Sequence, residues 1–422
     1  MVVSEVVGVG IFLAPATMMR TLGSLRASLA VWAIMGVLTA AGALCYAELA
    51  TRFPKAGGGY VFLREAFGPR SAFVYGWMAL LVMDPGLTAA LGIALAKYVL
   101  VTVSGPTSLV TPVALAAVFG FGLLTLLGIK TSARLMEWTV AAKLAIVAVL
   151  VLVGALHASN TSGAAFAWSG SRALGPEALA PSIIAAFFAF GGWWEVGRMS
   201  EEVESPRRTM PRALLGGVAL VTGMYALVTI AFVLAKPALV AGTDEAVVAL
   251  IGAAFFGDAA GRLLAAMVVV AVAGSLAVVL LGAPRVYVAM ARDGLFPRRF
   301  AQFDDRRGTT RGGTLIQVIL ACVLIMLGTF DQILGYFVPA AIFFLGLSAA
   351  AILVLPRPPA DNAVFRAPLH PLPIIVFLLA IVGMLVLFVV GQMKQTLLGA
   401  AVVALGVPVS YLVLPRRQAT TA

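Results

Sequence analysis

Charge is scarce in this 422-residue chain: Asp, Glu, Lys and Arg make up 11% of it, against 62% hydrophobic residues. The mean hydropathy is +1.05. Soluble domains carry about a quarter charged residues, so an ordinary soluble protein is excluded. Cysteine is nearly absent: Cys45 and Cys322 both fall inside apolar runs, which excludes a disulfide framework and leaves buried free thiols. Histidine is limited to His157 and His370, near the ends of apolar runs and without metal-ligand spacing, which leaves little for a membrane-embedded enzyme. No GxxxxGK[ST] loop occurs, so direct ATP drive is not encoded, and no metal or cofactor is expected. The first segment lacks a basic n-region and a small-residue cleavage site, so no cleavable signal peptide is expected. Its abrupt start leaves room for native residues ahead of Met1.

What the chain does have is apolar runs from end to end. A helix crosses a bilayer with about 20 apolar residues, and twelve spans can be drawn: roughly 2–19, 27–50, 71–103, 111–129, 134–158, 178–198, 211–235, 258–290, 313–329, 333–355, 372–391 and 395–414. The expected architecture is all-α and polytopic, a single transmembrane domain over 1–422. The net charge of +11 and pI near 10.1 point to cytoplasmic loops rather than nucleic acid. With the N-terminus inside, the inner connections hold about 21 Lys and Arg against 5 outside, so both termini are expected in the cytoplasm. The compact loops and short termini suggest a plasma membrane, the inner membrane of a bacterium. One loop differs: "GTDEAVVALIGAAFFG" offers Thr243 as an N-cap and Gly257 as a stop, too short to span. It reads equally as an external lid or as a connector.

The first and sixth spans are built oddly. "VVGVGIFLAP" places Gly8, Gly10 and Pro15 in a membrane helix, and "FFAFGGWW" repeats the paired glycines at 191–192. Five spans separate equivalent positions, so two matching halves would run in opposite senses across the membrane, as in inverted-repeat transporters. A break frees backbone N–H and C=O groups that hydrocarbon cannot satisfy. Freed N–H groups suit a carboxylate, freed carbonyls an ammonium, and an α-amino acid carries both. A lone GxG in a membrane helix is more often a packing device; the matched pair reverses that weighting. A dinucleotide loop is excluded, because no strand precedes "GVGIF" and the third glycine is missing.

Four segments, "VVGVGIFLAP", "CYAELATRFPKAGGGYVFLREAFGP", "FFAFGGWWEVGRMSEEVESPRRTMPRAL" and "APRVYVAMARDGLFP", resemble in order and spacing the signatures of the amino acid, polyamine and organocation transporter superfamily. The glycine-glycine-tryptophan and the loop after it look most like the L-type amino-acid transporters and their bacterial relatives. The resemblance covers the first ten helices. It implies a five-plus-five inverted repeat, the LeuT-like fold, with halves over 1–158 and 178–355, broken helices 1 and 6, and two further helices over 372–414. It implies a substrate carboxylate at the amides of Gly8, Val9 and Gly10, and an ammonium at carbonyls near Val6, Phe188 and Gly191, with Ala189 among the substrate-site positions. Phe188 matches an aromatic that closes over the substrate from outside. Val9 and Trp194 depart from the L-type pattern, where a small residue and an asparagine are usual, and put the identity of the substrate in doubt.

Ionisable groups inside spans are rare and paired or functional. Lys97 and Arg262 lie near enough to span ends to snorkel. Lys143 lies deeper, and matches the helix 5 lysine that stands in place of sodium in this superfamily. Residues 276–284 of helix 8 hold no hydroxyl, with Ser275 alone nearby, so sodium coupling is not expected. Lys143 is read as a fixed cation tying helices 1, 5 and 8, or as a proton shuttle. Glu5 reads equally as its buried partner or as an interfacial residue. Glu195, after the second break, reads as a ligand for a cationic substrate or as a wall of an inner vestibule. Glu201, Glu202 and Arg285 fall within the matched segments and are favoured for gate or loop packing.

The leading expectation is a secondary active amino-acid transporter working by alternating access, sodium-independent, by exchange or proton coupling. A polyamine or organic-cation permease of the same fold is the alternative, and an ion channel is the alternative of a different class. An enzyme is not expected. The partners expected are a small amino-acid substrate and the lipid bilayer, with no nucleic acid. No disulfide-linked heavy chain is expected, since no loop carries a cysteine.

Overall fold

The computed structural model describes residues 10–55, 57–127, 133–157, 175–194, 205–235, 247–297, 300, 311–357 and 364–414. Every regular element of any length among them is helical. In chain order these are α1 (Gly10–Leu22), α2 (Leu25–Arg52), α3 (Gly59–Phe67), α4 (Pro69–Thr102), α5 (Val110–Leu126), α6 (Ala133–His157), α7 (Pro176–Phe190) and α8 (Pro206–Ala235). They continue as α9 (Val247–Phe256), α10 (Asp258–Gly282), α11 (Pro284–Arg292), α12 (Arg311–Leu327), α13 (Phe330–Val354), α14 (Leu372–Gly391) and α15 (Met393–Val413).

Local chemistry sets the ends. Ser24 caps α2 by accepting from the Ala27 amide at 3.3 Å, which satisfies one of the orphan donors of a first turn. Thr329 and Gln332 close a reciprocal capping box on α13. Gly257, at φ +83, separates α9 from α10 and is the stop expected there; Thr243 lies outside the described residues. Within α4 the chain makes a π turn over Ala79–Met83, just before Asp84 and Pro85. Pro85 has no N–H to offer the Leu81 carbonyl four residues earlier. That carbonyl instead takes the Tyr336 hydroxyl of α13 at 3.2 Å.

Eight helices among the described residues are long and apolar enough to cross a membrane, and shorter apolar helices lie within α6, α7, α9 and α12. Where the ends lie among the described residues, most expected boundaries hold to a few residues, with α14 at 372–391 and α13 at 330–354; the expected start of the first span lies outside them. The sixth expected span is shorter, because α7 ends at Phe190. Packing follows the inverted-repeat pattern: α1 lies on α7, α2 on α8, α4 on α10 and α5 on α12, so each of the first four spans meets the one five later.

Burial separates inside from outside. The most apolar window of α4 is 89% buried, against 22% for the α5 helix and α15 and 28% for α14, which makes α4 the axis and the others the rim. Leu379, Val382, Val386 and Val390 form an exposed apolar stripe on α14, the face a lipid chain would cover. Buried polar groups tie helices together: Trp32 Nε1 donates to Thr229 Oγ1 at 2.9 Å and Trp77 Nε1 to the Val402 carbonyl at 2.8 Å. Glu48 is 4% exposed and accepts from the Ala367 amide at 2.8 Å, so α2 holds the segment leading to α14.

Candidate functional site

The second expected break is present. Gly191 caps α7 and donates its amide to the Phe188 carbonyl at 3.0 Å, and Gly192 follows at φ +107, a left-handed conformation that favours glycine. Of the carbonyls that the end of α7 frees, that of Ala189 accepts the Tyr225 hydroxyl of α8 at 2.5 Å. The Phe188 carbonyl retains a second lone pair beside its bond to Gly191. Trp193 is buried with its ring edge-on to Tyr46 at 5.0 Å, and Trp194 stacks on Phe187 at 5.9 Å.

The two glycine segments meet. A Cβ on Gly10, the first residue of α1, would lie 2.4 Å from the Cα of Ala189, so only glycine permits this crossing. Gly10, Phe188, Ala189 and Gly191 therefore gather at one junction. Glu5, Val6, Gly8, Val9 and Glu195, expected at the same place, lie outside the described residues, as do Glu201 and Glu202.

A cavity of about 270 Å³ opens between α1, α7 and α13 on the side of the junction away from the α1 N-terminus. Thr17 and Arg20 of α1, Phe188 of α7, Phe330 and Asp331 of α13, and Gln392 line it. Phe188 meets Phe330 edge-on at 5.7 Å, so the aromatic expected to close the site stands in a wall of this cavity. Thr21 and Ser182 share a 2.6 Å hydrogen bond across α1 and α7.

Lys143 is 2% exposed and donates from Nζ to Ser275 Oγ at 3.2 Å, joining α6 to α10. Ser275 in turn donates to the Ala271 carbonyl at 3.3 Å. This bond joins helices 5 and 8; Glu5 of helix 1, read as a partner of Lys143 or as an interfacial residue, lies outside the described residues. Among the described residues no group of three His, Cys, Asp or Glu side chains could hold a metal ion.

Two features were not anticipated from the sequence. Asp84, in "MDPG" of α4, is 2% exposed and accepts the Tyr287 hydroxyl of α11 at 2.5 Å. Thr88 donates to the Asp84 carbonyl at 2.7 Å and receives Gln317 Nε2 of α12 at 2.9 Å. The signal was available: an acid inside an apolar run, followed by Pro-Gly. The other feature is a latch at the end of α11, where Asp293 accepts from the Tyr60 hydroxyl at 2.7 Å and from Arg64, both on α3. It joins two of the four matched segments. Burial and the bond to Asp293 push the Tyr60 phenol well above its ordinary value. Arg285, expected near the gate, is partly buried on α11.

Comparison with known proteins matches this arrangement. A profile of the amino acid permease family aligns with residues 1–408. The human cystine/glutamate transporter is 28% identical over 97% of this chain and 83% of its own length. The human b(0,+)-type amino acid transporter 1 is 28% identical over 84% of this chain and 74% of its own. The rat large neutral amino acids transporter small subunit 2 is 27% identical over 97% and 78%. Among solved structures, MhsT in complex with L-phenylalanine superposes with a TM-score of 0.62 at 16% identity, over 92% of this chain and 97% of that one, which shows the LeuT-like fold. The chain is a multi-pass helical membrane protein and belongs to the amino acid permease family.

Proposed function

We propose that this protein is a secondary transporter that carries α-amino acids by alternating access around the junction of α1 and α7. The observation that carries the reading is the contact of Gly10 with Ala189 beside the break at Gly191–Gly192. The first described turn of α1 and the end of α7 meet there, next to a cavity bounded by both. In this reading the amides of Gly8, Val9 and Gly10 bind the substrate carboxylate, and carbonyls near Val6, Phe188 and Gly191 take the ammonium. Ala189 contributes backbone and close packing rather than its carbonyl, which Tyr225 already occupies. Phe188 closes the outer side, and Lys143 and Glu5 tie helix 1 to helices 5 and 8. Glu195 lines the inner vestibule.

The transport is sodium-independent, by exchange or coupled to protons: the Lys143 ammonium stands at the α6–α10 crossing, where a like-charged sodium ion would be repelled. The repeats run over 1–158 and 178–355 with two further helices over 372–414, both termini cytoplasmic, in the plasma membrane. No disulfide-linked heavy chain is needed, because Cys45 and Cys322 both lie on membrane helices.

Counterflow into proteoliposomes tests the reading. Preloading with unlabelled amino acid should accelerate entry of the labelled form, with labelled L-leucine, L-arginine and L-glutamate as probes beside a polyamine, with and without sodium. Acceleration by a polyamine alone would replace the amino acid by an organic cation. Linear, unaccelerated entry of every probe would sink the transporter reading.

A further inference from the structure

Helix α7 ends at the junction, and its last turn leaves carbonyls without the amides that a further turn would supply. One of them is met by a side chain of another helix: Tyr225 of α8 donates its hydroxyl to the Ala189 carbonyl at 2.5 Å. Tyr225 and Ala189 are both buried. A buried carbonyl that loses its donor is costly to leave unmet, and more so inside a bilayer.

The phenol is itself held in place. Trp32 of α2 lies 4.8 Å from its ring centroid and Phe190 of α7 meets it edge-on at 5.4 Å, while Trp32 and Phe190 lie 5.9 Å apart, so the rings close on one another. Trp32 Nε1 donates at 2.9 Å to Thr229 Oγ1, one turn beyond Tyr225 on α8, and Thr229 donates to the Tyr225 carbonyl at 2.8 Å. On the turn before Tyr225, a Cβ on Gly36 of α2 would lie 2.6 Å from Thr222 Oγ1. Helix α2 therefore fixes α8 on the turn before the phenol and on the turn after it, and close packing leaves the ring few rotamers.

We propose that Tyr225 is a positioning residue for the ammonium end of the substrate site: by occupying the Ala189 carbonyl it fixes the last turn of α7 and leaves the neighbouring Phe188 carbonyl to the substrate. The inference rests on the transporter reading for the identity of the ligand. Consecutive carbonyls are turned by about 100° around a helix axis, so a donor on the α8 side holds Ala189 while Phe188 faces another way. The Phe188 carbonyl accepts from the Gly191 amide at 3.0 Å and keeps a second lone pair. The hydroxyl acts through the α7 backbone and needs no contact with the substrate. Its effect is preorganisation: the acceptors at the break are aimed before the ammonium arrives, and that ordering is not charged to binding. Without the hydroxyl the last turn loosens, and the Ala189 carbonyl competes for a donor that Phe188 and Gly191 are placed to receive.

The test uses the full chain in proteoliposomes, with counterflow of labelled L-leucine, L-arginine and L-glutamate. Tyr225→Phe keeps the ring and removes the hydroxyl; the half-saturating concentration should rise about tenfold while the maximal rate changes by less than about twofold. A lower maximal rate at an unchanged half-saturating concentration marks a purely structural role and overturns the proposal, as do wild-type values of both. If Tyr225→Phe does not fold, Thr229→Val takes its place, removing the acceptor of Trp32 and keeping the phenol. The same split in smaller measure then supports the proposal, and an unchanged half-saturating concentration refutes it. Hydrogen exchange in the detergent-solubilised full chain needs no substrate: the Gly191 amide should exchange about tenfold faster in Tyr225→Phe than in wild type, while α14 keeps its protection. Faster exchange at Gly191 with no probe carried leaves the hold on α7 standing and defeats only the transporter reading. Unchanged exchange at Gly191 overturns the positioning itself.

Discussion

Lys143 and Asp84 are both intramembrane charges, each 2% exposed, and each meets a hydroxyl on the eighth span, Ser275 and Tyr287 respectively. The difference lies in what the hydroxyl is attached to. Ser275 stands inside the 25-residue α10, its own hydroxyl bonded back to the Ala271 carbonyl of the same helix. Tyr287 stands on α11, which continues α10 through a helical Ala283 and ends at the latch. Lys143 is thus tied to the body of the span, and Asp84 to its end, close to Asp293. The same span offers both ties.

The largest effect expected is at the Lys143 tie. Lys143→Met should lower every mode of transport, counterflow and gradient-driven uptake alike, by more than about tenfold, or ~1.4 kcal/mol. Initial rates of both modes check it. A Lys143→Met variant that loses only gradient-driven uptake would show that Lys143 couples transport to the gradient rather than tying the helices together.

The two charges also differ in how far the sequence disclosed them. Lys143 sits in "WTVAAKLAIVAV", ten residues into a span, and its position in the family pattern pointed to its neighbours. Asp84 sits in an equally apolar run, but Pro85 and Gly86 beside it read as punctuation, and its partner Tyr287 lies 203 residues away in sequence. Periodicity carries no information about which hydroxyl crosses to which helix. The helices themselves were legible because hydrocarbon demands long apolar segments, and the break at Gly191–Gly192 because glycine is costly in a helix. The latch was hidden for a different reason: Tyr60, Arg64 and Asp293 are ordinary loop residues in sequence, and only the packing of α3 beside the end of α11 unites them. The end of α7 at Phe190, short of the expected 198, follows from Gly192 taking a positive φ.

The junction of α1 and α7 gives a second contact, with a smaller expected effect. Gly10→Ala would place a methyl 2.4 Å from the Ala189 Cα, an overpacking that costs about 1–3 kcal/mol. The thermal unfolding midpoint should fall, and Ala189→Gly in the same chain should not restore it, because the clash is with backbone. Full recovery in the double variant would mean that the side chains alone set the crossing. Tyr225→Phe tests the same junction by leaving the buried Ala189 carbonyl without its donor, at about 1–3 kcal/mol. An unchanged midpoint in that variant would show that another group takes over the carbonyl.

The smallest effect belongs to the latch, where the Asp293 and Arg64 side chains are about a third exposed, at 35% and 33%, and solvent screens the pair. Asp293→Asn should cost no more than about 1 kcal/mol of stability, so any large loss of transport in that variant is attributable to gating rather than to folding. Tyr60 adds a pH signature. Its phenol is pushed above the ordinary value of 10.0 by burial first and by its bond to Asp293 second. The folded chain therefore keeps this proton where the unfolded chain has lost it, and its contribution is fully present below pH 10.0 and lost as pH rises beyond it. Unfolding midpoints should show no Tyr60-dependent slope at neutral pH and a decline in the alkaline range that Tyr60→Phe removes. A decline equally steep in Tyr60→Phe would place the alkaline titration elsewhere and leave Arg64 alone to hold Asp293, making the latch a plain surface ion pair rather than a gate.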